Sequence, residues 1–191
     1  DDQYYSRPQG GQYSFSDIDS VEVLKGPQGT LYGRNATGGA VRIITKDPTD
    51  VFQARVAAST GSYGHRGFEG MLSGPLTDTL LDRLVVQIDR NDGYVDNIDP
   101  SQPNLQDRDQ KMIRNKLLWS GVENLEIKLT TSYVEKFDRE GQAFFPLFGA
   151  PEQLGLLVGV TVPPDFYTAT IKLHDNDDTK YLTTNTAATL R

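Results

Sequence analysis

The sequence predicts a mainly β protein: a short glycine-rich strand–crossing–strand element followed by an antiparallel meander. Three observations carry that expectation. From Val51 onward, apolar and polar residues alternate with a period of two over successive segments. The segments are joined by short turns on one side and longer polar loops on the other. Ahead of them, two apolar runs, Val21–Leu24 and Ala40–Thr45, flank a stretch containing Gly26, Gly29, Gly33, Gly38 and Gly39.

With 191 residues the chain is long enough for one domain with a core of its own. Nineteen basic and 26 acidic residues leave a formal charge of −7, which offers no electrostatic basis for nucleic-acid binding. The absence of cysteine excludes disulfides, thiolate zinc sites and cysteine nucleophiles. No run reaches the roughly 20 apolar residues of a membrane-spanning helix. The mean hydropathy of −0.49 still permits a membrane barrel, in which only every second strand residue is apolar.

Taken in order, residues 1–16 (DDQYYSRPQGGQYSFS) read as an irregular polar and aromatic loop, with Tyr4, Tyr5 and Arg7 as candidates for a binding surface. Ser16–Asp19 reads as an N-cap and a short helical turn. Val21 and Val23 share one face of the first strand. Pro27–Tyr32 suits a single helical turn with Pro27 at its first position. The density of glycine beyond it marks backbone that turns tightly, takes positive φ or approaches another surface closely, above all at Gly33, Gly38 and Gly39. A phosphate-binding loop is excluded, because Arg34 and Asn35 follow Gly33 where Lys and Ser or Thr are required, and no GxGxxG occurs. Asp47-Pro48-Thr49-Asp50 is a turn.

In the meander, Phe52, Ala54, Val56 and Ala58 oppose Gln53, Arg55 and Ser59. Ser62-Tyr63-Gly64 reverses the chain. Phe68, Gly70 and Leu72 then alternate with Glu69, Met71 and Ser73. Pro75–Thr79 is read as a turn, before Leu84, Val86 and Ile88 oppose Arg83, Gln87 and Asp89. A polar loop spans 91–106. Ile113, Asn115, Leu117 and Trp119 oppose Arg114, Lys116 and Leu118. After a turn at Gly121–Asn124, Leu125, Ile127, Leu129, Thr131 and Tyr133 oppose Glu126, Lys128, Thr130 and Ser132. From Phe137 to Asp178 the alternation dissolves. His174-Asp175-Asn176-Asp177-Asp178 lacks the spacing of a calcium loop, and neither it nor His65 is assigned a metal. A last strand starts near Lys180. Alternation of this kind suits a soluble sheet with one wet face as well as it suits a membrane barrel.

The run Ile18–Pro27, then Gly29-Thr30-Leu31-Tyr32-Gly33, then Gly38-Gly39-Ala40-Val41 and Ile43–Lys46, closely resembles the end of the plug domain of TonB-dependent outer-membrane receptors. The resemblance implies two parts: residues 1–48 as the C-terminal part of a plug, and 49–191 as the first strands of an incomplete transmembrane β-barrel. It makes Gly26, Pro27, Gly29, Tyr32, Gly33, Gly38 and Gly39 structural positions of the plug. It also implies gated uptake of a scarce nutrient, such as a siderophore, a cobalamin or an oligosaccharide, in the bacterial outer membrane. The expected partners are the small-molecule ligand, outer-membrane lipid and a TonB-type energising protein. The short box that recruits that protein and a signal peptide are not found in these residues, so a piece of a longer receptor is expected. No catalytic pair, metal ligand set or cofactor motif is found, and neither an enzyme nor a cofactor is expected. The alternative is a soluble β-rich binding or adhesin-like module, for which charge on both strand faces would speak.

Overall fold

The structure, a computed structural model, describes residues 15–27, 29, 38–97, 104, 106–138, 168–169 and 179–190. β1 (Ile18–Lys25) and β2 (Gly39–Thr45) form an antiparallel pair, with Val21 opposite Ile43 and Val23 opposite Val41. The helical turn expected at Ser16–Asp19 is not formed. Ser16 and Asp17 make a turn with Asp17 at φ 58°, and the strand begins at Ile18. An isolated helical turn leaves its end groups unpaired, whereas the extended chain pairs along its length with β2. The turn expected at Pro27–Tyr32 lies outside the described residues apart from Pro27 and Gly29.

The larger sheet contains β3 (Gln53–Thr60), β4 (Arg66–Thr77), β5 (Leu80–Asn91), β7 (Arg108–Val122), β8 (Leu125–Asp138) and β10 (Thr179–Leu190). Their order is β10-β8-β7-β5-β4-β3, and every neighbouring pair is antiparallel. A two-residue parallel contact joins β6 (Asp96–Asn97) to β9 (Thr168–Ala169).

Local chemistry sets the hairpins. At the β3–β4 reversal, Tyr63 and Gly64 have φ of 57° and 65°. Both central residues are left-handed, the geometry whose twist matches that of the flanking strands. The turn between β7 and β8 places Asn124 at φ 60°, a conformation that asparagine tolerates. One expectation is corrected here: Pro75 is not in a turn but within β4, which runs on to Thr77. Pairing with β3 stops at Ser73, so on that side Pro75 has no ladder bond to give. On the other side it stands opposite Leu81, next to a register shift.

The registers sort the residues between two faces. Ala54, Leu72, Leu84 and Asn115 lie in one transverse row, and Val56, Gly70, Val86, Ile113 and Tyr133 in the next. This face is open to its surroundings: Phe52 is 70% exposed and Val56 73%. Asp82 lies on it too, bonded at 2.6 Å by the Asn115 amide. The opposite face holds Arg55, Glu69, Gln87 and Lys128, with Glu126 in step with Lys128. The charged and apolar sets therefore stand on opposite sides of the sheet, as the alternation predicts. At the centre of the charged face, Val85 (1% exposed), Met112 (2%) and Val134 form a small apolar core flanked by Met71. Buried Arg83, Arg114, Lys116 and Lys136 surround it.

Candidate functional site

The β1–β2 hairpin stands on the charged face by its base. The residues just before β1 and those at and just after the end of β2 make the contact, and Lys46 N–H donates to the Asp17 carbonyl (3.1 Å) to tie the two together. Asp17 is gripped by Arg83 of β5: Nε donates to one carboxylate oxygen at 2.7 Å and Nη2 to the other. The two side chains are 3% and 7% exposed. Such a forked pair fixes both distance and orientation. Arg114 of β7 donates to the Ser16 carbonyl (3.2 Å), and Lys116 to the Thr45 carbonyl (2.8 Å). Asp47 bridges Lys116 (3.2 Å) and Lys128 of β8. Thr49, further along the linker, bonds Ser73 through its backbone N–H and through its hydroxyl, each at 3.0 Å.

Burial of Asp47 alone would raise its pKa. The Lys128 hydrogen bond and the positive charges of Lys116 and Lys128 outweigh that, so the carboxyl lies below its ordinary value of 3.8.

Toward the β3–β4 turn, the hairpin base and the wall enclose a polar cleft of about 260 Å³ between Phe15, Ser16, Glu69, Gln87, Asp89, Arg108 and Gln110. His65 is bonded to Asp89 there (3.2 Å). The Tyr63 and Tyr94 rings meet edge to face at 6.2 Å, packing the turn against the following loop, where Asp92 N–H donates to the Tyr63 carbonyl.

Of the plug positions named from the sequence, Gly26 and Gly39 adopt φ of 85° and 143°. A Cβ at Gly39 would overlap the Leu24 carbonyl oxygen. At Gly29 and Gly38 a Cβ would meet nothing within 4 Å among the described residues. Pro27 is exposed. Tyr4, Tyr5, Arg7, Tyr32 and Gly33 lie outside the described residues, as does the 174–178 run. The polar contacts that hold the hairpin were missed as a site. Their one signal in the sequence is that Arg83, Arg114, Lys116 and Lys128 all fall on the non-apolar parity of three successive meander strands.

A hairpin seated on the polar face of an antiparallel sheet, whose other face is an uncovered apolar surface, is the arrangement of an outer-membrane barrel wall with a plug in its lumen. The comparisons agree. Residues 1–40 match the TonB-dependent receptor plug domain. The pesticin receptor of Yersinia pestis is 40% identical over 68 residues, 36% of this chain and 10% of that receptor. The metal-pseudopaline receptor CntO of Pseudomonas aeruginosa is 38% identical over 84 residues, 43% of this chain and 12% of that receptor. The crystal structure of the ferric yersiniabactin uptake receptor FyuA from Yersinia pestis superposes with a TM-score of 0.60 at 27% identity, over 64% of this chain and 20% of that one. The chain thus has the plug sequence and wall fold of a TonB-dependent receptor, a class of the bacterial outer membrane. It spans about a tenth of the length of the curated relatives it matches.

Proposed function

We propose that the chain acts in TonB-dependent uptake of a metal–siderophore complex across the outer membrane. The observation that carries this reading is the union, in one chain, of the plug sequence with a barrel wall that grips the base of that plug through Arg83, Arg114, Lys116 and Lys128. Relatives named for pseudopaline and for ferric yersiniabactin favour a siderophore over a cobalamin or an oligosaccharide. In this reading residues 1–48 belong to the plug and 49–191 to the wall. Ligand meets the extracellular side; Tyr4, Tyr5 and Arg7, the candidates read from the sequence, are the first positions to test. A TonB-type protein pulls on the plug, and the wall contacts at Asp17 and Asp47 resist until the path opens. Binding and gated movement suffice, and no bond chemistry is required. A soluble module is disfavoured by the long apolar face, which no part of the described structure covers.

The test is deletion of the gene in its own host, followed by iron uptake from a panel of ferric siderophores under iron limitation. Loss of uptake for one chelate class, restored by the gene and abolished when the TonB-type protein is removed, is expected. Unchanged uptake across the panel, with loss of a cobalamin or an oligosaccharide instead, overturns the siderophore assignment.

A further inference from the structure

We infer that Arg83, Arg114, Lys116 and Lys128 form a cationic strip on the lumenal wall, masked by the plug base at rest, that attracts and guides an anionic cargo once the base withdraws. The inference rests on the uptake reading above and adds to it the charge class of the cargo.

The strip is contiguous. Arg83 and Lys116 stand directly opposite each other on β5 and β7. Arg114 is two residues from Lys116 on the same face. Lys128 of β8 is diagonal to Lys116, through the pairs Lys116–Thr130 and Leu118–Lys128. Like charges directly opposite on a sheet are destabilising, and the wall tolerates them because the plug base supplies their counter-charge. Among the described residues that supply includes the carboxylates of Asp17 and Asp47 and the carbonyls of Ser16, Thr45 and Asp47. All of these acceptors sit at the base of the hairpin, on the residues before β1, the last residue of β2 and the residues after it, and all four cations sit on the wall. When the base moves, negative charge therefore leaves with it and positive charge stays behind. In a narrow, low-dielectric passage such a strip concentrates anions and repels cations. A negatively charged metal chelate would then take the place of Asp17 and Asp47, exchanging one set of charge-assisted hydrogen bonds for another.

The test uses potassium chloride as the probe and needs no knowledge of the natural ligand. The receptor, as its gene encodes it, is inserted into a planar bilayer, and the plug is loosened with urea below the concentration that unfolds the barrel. The reversal potential is then read across a salt gradient. Wild-type current is expected to favour chloride. Lys116→Gln with Lys128→Gln shifts the reversal potential toward potassium, and Lys116→Arg with Lys128→Arg restores it. The Asp17→Asn, Asp47→Asn receptor keeps the strip and loses the mask, so it conducts at lower urea and still favours chloride. A reversal potential unmoved by the glutamine pair, current without chloride preference in the asparagine pair, or no current from any loosened receptor would each overturn the strip. Siderophore uptake is measured separately in cells, so a failed strip and a failed uptake reading are told apart.

Discussion

Arg83 and Asp17 show what a single contact does for this fold. Both are almost wholly buried, and the guanidinium occupies both carboxylate oxygens. Removing one partner leaves the other charged and uncompensated, which costs about 3–5 kcal/mol in buried pairs. Arg83→Met in the intact receptor is therefore expected to lower the urea concentration at which the plug base becomes protease-sensitive, with the barrel still folded. Gly39 is a second such position. Its φ of 143° and the nearby Leu24 carbonyl leave no room for a side chain. Gly39→Ala is expected to cost about 1–3 kcal/mol, read as faster amide exchange in β1 and β2.

Asp47 gives the contact a pH dependence. Its carboxyl is held below the ordinary value of 3.8, so its contribution is fully present above that value and is lost as pH falls through the lowered one. Acid titration followed by brief pepsin digestion is expected to show the plug base opening only below the ordinary carboxylate range. In Asp47→Asn that acid step is expected to disappear, with the base looser throughout.

At the scale of the element, the strands are defined by which face they offer. Val86 sits between Gly70 and Ile113 in the middle of the apolar face, and its neighbour Gln87 points to the polar one. A lipid-facing arginine near mid-bilayer costs about 2–4 kcal/mol. Val86→Arg is expected to lose that much stability in refolding into lipid vesicles, and Gln87→Arg far less. Equal losses would mean the faces are wrongly assigned. The Asp82–Asn115 pair is a polar break on the apolar side, and the 2.6 Å hydrogen bond between them explains how it is borne; towards the β3–β4 turn the same face carries the Arg90–Asp109 and Lys111–Glu135 ion pairs.

At the scale of the molecule, β3 and β10 are the terminal strands of an open sheet. Among the described residues each has one edge without a partner strand, and none of them covers the apolar face beside those edges. Unpaired edges and a large apolar patch both promote association. Residues 1–191 expressed alone are expected to elute as large assemblies in plain buffer and to become smaller species in detergent. A sharp monomer peak in buffer with cooperative unfolding would speak for the soluble module.

The β class, the meander and the two faces were legible in the sequence, because side chains on a strand alternate strictly and a hairpin register follows from local turn chemistry. The Val21–Thr45 element was legible as well, through its β-branched runs and glycines. Pro75 was misread, because a proline signals a turn by itself. It is tolerated in β4 only because β3 ends before reaching it, which is a fact about a neighbour. Asp17 was misread as part of a helix start for a similar reason: its partner Arg83 is 66 positions away in sequence. The alternation on β5, β7 and β8 determined that Arg83, Arg114, Lys116 and Lys128 would share the face opposite the apolar one. Only the tertiary structure decided that they meet the acids and carbonyls at the base of one hairpin, because that meeting depends on how two separate pieces of sheet are laid together.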